Sequence, residues 1–166
     1  TPWSPNLPNP ALPSALETPY VGRANAVFVR ACNFIICHES AHAVLGHLKE
    51  DEIGLAKEYD ADRLAAEVLL RESTDDDIRF NLIAGITAGL SAFLALAQNL
   101  SDTSHPSADK RVRQFMESLN LHPNDGLWAI PCFAYRLWDI GQKEVLEWGD
   151  NEGTYKELFY RLLEQE

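Results

Sequence analysis

The HExxH segment at residues 38–42 constrains the fold more than any other part of the chain. It places His38 and His42 four residues apart, and on a helix such residues lie about 40° apart around the axis and one turn along it. The two imidazoles can then bind one metal ion from the same face. Glu39, next to the first imidazole, can accept a proton from a metal-bound water. The motif therefore predicts a helix with a metal site on it.

Zinc is the predicted metal, because two histidines and one carboxylate form a catalytic zinc set that leaves one position open for water. Glu58, in the segment 58–62 (EYDAD), is the predicted third ligand, and it shares a helix face with Asp62. A turn near Gly54 would bring this face against the first helix. Asp62 is then predicted to accept a hydrogen bond from the free ring nitrogen of a liganding histidine, which fixes the tautomer of that ring.

Each nearby residue also has a structural interpretation. Acidic residues on a helix are commonly solvated, which is the alternative for Glu58 and Asp62. His47 lies nine residues after His38, so on a continuous helix it would point to the opposite face, and a structural role is predicted. Cys37 diverges from His38 by about 100° and is predicted to be a core thiol, with metal binding as the alternative.

The overall charge excludes several classes of partner. The chain has 166 residues and a formal net charge of −11. Nucleic-acid binding and attachment to an anionic membrane are disfavoured, because both require clustered Lys and Arg. The three cysteines, an odd number, do not indicate a disulfide framework, and the N-terminal residues lack the basic-then-apolar pattern of a secretory signal. We therefore expect one domain in a reducing, cytoplasmic compartment.

Proline divides the chain near its N-terminus. Six of the nine prolines fall within residues 1–20. That density opposes regular helix and favours an extended or polyproline-like conformation. We predict an extended arm over residues 1–22 and a single compact domain over residues 23–166.

Apolar periodicity predicts six helices in the compact domain. β-branched residues leave a strand open for the start of the first of them, and we favour helix because the HExxH chemistry requires it. The fold class is therefore mainly α, with an α+β fold carrying a small edge sheet as the alternative. The predicted helices span residues 23–48, 56–72, 76–100, 107–119, 127–148 and 154–164.

The third predicted helix is unusually apolar between Leu82 and Leu96. A membrane span is one interpretation, and Gly85 and Gly89 would suit close helix packing in lipid. Glycine, threonine and serine dilute the segment, and basic anchors do not flank it. We therefore predict a buried central helix and rank a membrane protein well below it.

Three motifs occur in order along the chain: HExxH, then ExxAD at residues 58–62, then HPxxxxR at residues 105–111. Together they resemble the gluzincin metallopeptidases of the HtpX type and the smaller Lit-like phage-exclusion peptidases. The first two motifs also resemble the ImmA/IrrE-type metallopeptidases. The resemblance covers roughly residues 30–115, and three ordered motifs are much more specific than one.

This resemblance implies a compact gluzincin-type helical domain with a metallopeptidase site. His38, His42 and Glu58 would be the zinc ligands and Glu39 the general base. Asp62 would support a liganding histidine from behind.

The third motif adds two residues to this implied site. Taken by itself, His105 reads as a loop histidine. The resemblance implies that His105 stabilises the oxyanion or takes the fourth metal position, and that Arg111 supports it.

The expected function is zinc-dependent endopeptidase activity on a protein or peptide substrate. Lit-like relatives imply a cytoplasmic phage-defence setting, in which a protein trigger or regulator starts the cleavage of a specific host protein. The alternative is a metal-stabilised, catalytically silent binding or regulatory module.

Overall fold

The structure is a computed structural model that describes residues 19–47, 54–71, 73, 75–96, 108–142 and 153–164. These ranges contain six α-helices and one 3-10 turn, and no strand. The prediction of a mainly α fold is confirmed. The helices are α1 (Pro19–Val44), α2 (Leu55–Leu70), α3 (Asp76–Leu96), α4 (Ala108–Ser118), α5 (Ala129–Gln142) and α6 (Tyr155–Leu163), with the 3-10 turn at Gly126–Trp128 just before α5.

Helix α1 differs from its predicted span at both ends. It begins at Pro19, four residues before the predicted boundary, and proline is tolerated there because the first helical residues have no intrahelical N–H partner. It ends at Val44, because Gly46 adopts a positive φ of 78° that terminates the helix. The rest of the predicted arm, residues 1–18, lies outside the described residues.

A side-chain cap fixes the start of α3. The Oδ1 atom of Asp75 accepts hydrogen bonds from the backbone N–H groups of Asp77 and Ile78, at 2.9 and 3.0 Å. These groups have no partner within the helix, so the cap stabilises its first turn. The cap marks a sharp boundary only a few residues after α2 ends at Leu70.

Helix α3 lies at the centre of the fold and packs against α1, α2, α4 and α5. Leu82, Ile83, Ile86 and Leu90 are each less than 5% exposed. None of the described helices combines the length and the apolarity that a membrane crossing requires. The prediction of a buried central helix is confirmed.

Two glycines let α1 and α3 approach each other closely. A Cβ atom at Gly85 would overlap the Cβ of Arg30 and lie 3.0 Å from its backbone carbonyl carbon. A Cβ at Gly89 would lie 3.1 Å from the ring of Phe34. The close contact involves the residues of α1 that precede the HExxH motif. Packing against α3 therefore fixes the position of the motif.

The C-terminal helices contribute an aromatic cluster to the core. Trp128, Tyr135 and Phe159 are almost fully buried, and the ring of Phe159 lies 5.8 Å from Trp128 and 6.1 Å from Tyr135. These separations are typical of favourable aromatic pairs. These three rings therefore belong to the core, whereas Phe133 of α5 and Tyr155 of α6 are exposed.

Replacing Gly85 with alanine should destabilise the protein by about 1–3 kcal/mol, because the added methyl group meets the backbone of α1 and the helices must separate. Urea unfolding monitored by circular dichroism measures this change. Gly22→Ala is the matched control, since Gly22 is an exposed glycine of α1 and no atom of the described residues lies within 4 Å of the added atom. Equal stability of the two variants would contradict the close packing.

Candidate metal centre

Three helices bring five of the predicted site residues together. His38 and His42 lie on the last turns of α1, Glu58 and Asp62 on the first turns of α2, and Arg111 on α4. Helices α1 and α2 pack directly against each other, which sets the two pairs face to face. The i, i+4 spacing puts both members of each pair on one helix face.

The three predicted ligands present their donor atoms to a common point. The Nε2 atoms of His38 and His42 lie 3.1 Å apart. The carboxylate oxygens of Glu58 lie 3.5 Å from Nε2 of His38 and 3.4 Å from Nε2 of His42. Ligand atoms bound tetrahedrally at zinc distances are separated by about 3.3–3.6 Å. The two nitrogen–oxygen distances match this spacing and the nitrogen pair is slightly closer, so the three residues could hold a divalent metal ion.

Asp62 lies on the side of His38 that faces away from the ligand atoms, and it contacts His38 and Arg111. Its Oδ1 atom is 2.9 Å from Nδ1 of His38, although the two atoms do not meet the geometry of a regular hydrogen bond. Arg111 donates to both oxygens of Asp62 at 2.7 Å, through Nε and Nη2. Its Nη1 also lies 3.4 Å from Glu58. One guanidinium therefore contacts both carboxylates.

Charge in this cluster is buried and incompletely balanced. His38, Glu58, Asp62 and Arg111 are each less than 9% exposed. Two carboxylates and one guanidinium leave one negative charge, and a buried unpaired charge is strongly unfavourable. A cation must complete the balance. A proton on His38 or a bound metal ion can supply it.

The pKa values show how the metal-free protein achieves this balance. Burial lowers the pKa of His38, but close contacts with Asp62 and Glu58 outweigh burial and raise that pKa from 6.5 to about 9. The contact with His38 is the main cause that lowers the pKa of Glu58 from 4.5 to about 2, and Arg111 adds to it. At neutral pH the metal-free site therefore holds a protonated His38 beside an ionised Glu58.

His42 differs from His38 in its electrostatic surroundings. Burial is the main cause that lowers the pKa of His42, and the nearby rings of His38 and His47 lower it further. The carboxylates of Glu58 and Glu39 act in the opposite direction. The neutral ring keeps a lone pair available for a metal ion.

Glu39 is exposed on α1, beside the ligand cluster. It is close enough to His42 to influence the pKa of that ring. Of the carboxylates at this site, Glu58 and Asp62 are buried in contacts with His38 and Arg111, whereas Glu39 is open to solvent. This difference leaves the Glu39 carboxylate accessible to water molecules.

His47 does not lie on the opposite face, contrary to the sequence interpretation. Its Nδ1 atom lies 3.0 Å from Nδ1 of His42, and the ring centroids are 5.1 Å apart. The interpretation was wrong because it assumed a continuous helix, whereas α1 ends at Val44 and the chain turns at Gly46. A glycine shortly after a helical segment is a stop signal, and Gly46 was the sequence feature that could have indicated this turn.

Arg111 contacts Asp62 and Glu58, two partners that the motif resemblance did not imply for it. The support of His105 by Arg111 stays a prediction. His105 lies outside the described residues. Arg111 and Asp62 lie 49 positions apart in the sequence, and no local sequence pattern predicts their contact.

A family model described as Peptidase U49 matches residues 1–131. The matched stretch runs through α4 and contains every residue of the metal cluster. No curated protein sequence and no solved structure matches the chain with significance.

Arg111→Met should destabilise the protein by about 3–5 kcal/mol, because it leaves two buried carboxylates without their guanidinium. Arg113→Met is the matched control. Arg113 lies two residues away on α4 and makes an exposed ion pair with Glu117 and a cation–π contact with the ring of Tyr160, so its loss should cost no more than about 2 kcal/mol. Chemical denaturation of both variants measures the difference, and a similar loss in both would show that the Arg111 contacts contribute little.

The stability of the metal-free protein should depend on pH in a defined direction. The raised pKa of His38 gives stability that is fully present below pH 6.5 and is lost as the pH rises to about 9. The lowered pKa of Glu58 gives stability that is present above pH 4.5 and is lost as the pH falls towards 2. Stability should therefore be greatest between pH 4.5 and 6.5, and the alkaline loss should be about 3 kcal/mol.

Denaturation of the chelator-treated protein across this pH range measures that profile. His38→Gln is the control, because it removes the histidine that titrates. An alkaline loss that persists unchanged in His38→Gln would assign it to another group.

Proposed function

Because the chain belongs to the Peptidase U49 family, we propose that it is a zinc-dependent endopeptidase of the gluzincin type. The observation that carries the proposal is a pair of imidazole nitrogens 3.1 Å apart beside one carboxylate, whose two oxygens lie 3.5 Å and 3.4 Å from them. Membership in a peptidase family implies a protein substrate. The family match spans the whole cluster, which supports placing the proposed chemistry there.

His38, His42 and Glu58 would hold the zinc ion, and the donor set supports this assignment. Two imidazoles and one carboxylate occupy three positions of a tetrahedral ion and leave the fourth open. When bound there, zinc lowers the pKa of a water molecule and polarises the scissile carbonyl. Glu58 is suited to its role because its low pKa keeps it ionised at neutral pH.

Glu39 is proposed as the general base. It follows a ligand directly in the motif and is exposed, so it can receive a proton from a water molecule in the cleft. It would then deliver that proton to the leaving amine, which must be protonated to depart. Glu58 and Asp62 are poorly suited to this step, because their oxygens are already engaged by buried cationic groups.

Asp62 and Arg111 are proposed to hold the ligands in place. Asp62 contacts the ring nitrogen of His38 that faces away from the ligand cluster, which favours the orientation needed for binding through Nε2. Arg111 fixes Asp62 through two parallel hydrogen bonds and keeps Glu58 charged. His105, which the motif resemblance alone assigns to oxyanion stabilisation, remains part of the proposal on that basis.

Glu39→Gln should abolish peptide hydrolysis, with a loss of at least about 100-fold, and should leave zinc bound. The reason is that the substitution removes the proton acceptor and leaves the ligands intact. Cleavage of a mixed peptide library, followed by mass spectrometry, measures activity, and metal analysis after gel filtration measures zinc content. Full activity in Glu39→Gln would eliminate Glu39 as the base.

Glu58→Ala separates metal binding from proton transfer. It should lower both zinc content and activity, whereas Glu39→Gln should lower activity alone. Unchanged zinc content in Glu58→Ala would show that another residue is the third ligand. A wild-type protein that binds zinc and cleaves nothing in the library would instead favour the catalytically silent module.

A further inference from the structure

We infer that His47 is a positioning residue: its Nδ1 atom accepts a hydrogen bond from the Nδ1–H group of His42 and so directs Nε2 of His42 at the metal. The inference rests on the proposed function, because it assigns a role towards the proposed zinc ion. It adds a residue outside the HExxH, ExxAD and HPxxxxR motifs. His47 would touch neither substrate nor metal.

The two nitrogens of His42 face different partners. Nε2 lies 3.1 Å from Nε2 of His38 and 3.4 Å from Glu58, among the ligand atoms. Nδ1 lies 3.0 Å from Nδ1 of His47, which is a normal hydrogen-bond distance. The two rings meet edge to face, with 66° between their planes. Nε2 of His42 therefore faces the proposed metal position, and Nδ1 faces His47.

The protons of this contact can be assigned from chemistry. A ring that binds metal through Nε2 must offer a lone pair there, so the neutral His42 carries its proton on Nδ1. That N–H requires an acceptor. His47 supplies one when it is neutral with its own proton on Nε2, which leaves a lone pair on Nδ1. The hydrogen bond made by one ring nitrogen sets which nitrogen is available to the metal.

The chain places His47 by ending the helix early. Five residues beyond His42, a continuous helix would carry the ring about 140° around the axis. Instead the backbone N–H groups of Leu45 and Gly46 bond to the carbonyls of Ala41 and Ala43, and Gly46 takes a φ of 78°. Within the described part of the chain, no atom beyond Gly46 and its chain neighbours lies within 4 Å of the position of a Gly46 Cβ, so backbone conformation rather than space calls for glycine there.

The test compares the zinc affinity of His47→Phe and His47→Gln in the full chain. His47→Phe keeps ring volume and removes the acceptor, and should weaken zinc binding 10–100-fold, as is typical when a partner of a metal-binding histidine is lost. His47→Gln keeps an acceptor oxygen and should retain most of the affinity. His122→Phe is the matched control, because His122 lies in an exposed loop and should leave affinity unchanged. Competition against a chromophoric chelator measures all four proteins.

A second measurement uses the wild-type protein and depends on no variant. In zinc-loaded protein with ¹⁵N-labelled histidine, a scalar coupling between Nδ1 of His42 and Nδ1 of His47 should appear across the hydrogen bond. The Nδ1–H proton of His42 should also be protected from exchange with water. Absence of the coupling, with zinc bound, would overturn the inference even if His47→Phe did not fold.

The remaining outcomes separate this inference from the proposed function. Zinc bound equally well by wild type and His47→Phe overturns the positioning role and leaves the zinc peptidase proposal standing. A coordination shell that loses one nitrogen in His47→Gln, seen by X-ray absorption, would make His47 a ligand and would also overturn it. Failure of the wild-type protein to bind zinc refutes both.

Discussion

The buried contact between Arg111 and Asp62 is the interaction on which the metal centre depends. It brings a guanidinium from α4 to a carboxylate of α2 at 2.7 Å, and the same guanidinium reaches Glu58. Without it, two buried carboxylates would lie beside a histidine with no fixed positive charge. With it, the cluster is short of one positive charge. That deficit holds a proton on His38 in the metal-free protein and favours a metal ion when one is available.

The helical scaffold keeps these charged groups at fixed distances from one another. Helix α3 contributes no residue to the cluster, yet it packs against α1, α2 and α4, which contribute all of them. The absence of side chains at Gly85 and Gly89 sets the distance between α3 and α1 just before His38. A core of this kind behaves as a rigid solid, so errors in helix spacing would be transmitted to ligand distances. Packing far from the cluster therefore matters for the spacing of the candidate metal ligands.

Sequence reasoning succeeded where a single helix carries the information. The i, i+4 spacing of His38 with His42, and of Glu58 with Asp62, states which side chains share a face, and the structure brings those faces together. It failed where the chain leaves a helix or where distant elements meet. The side chain of His47 does not follow the helical periodicity of His38, because α1 ends at Val44. The partner of Arg111 depends on how α4 packs against α2, which periodicity does not encode.

The two histidines of the HExxH motif contact different kinds of side chain through Nδ1, and this difference has a chemical consequence. His38 has an anionic partner in Asp62, whereas the partner of His42 is the imidazole of His47. An anionic partner makes a ligating imidazole more basic and passes more electron density to the metal than a neutral partner does. Two anionic partners would weaken the ability of a bound cation to polarise a carbonyl, and they would bury a further negative charge. In the proposed zinc site, one carboxylate and one imidazole would instead fix both rings while the cluster keeps a deficit of a single positive charge.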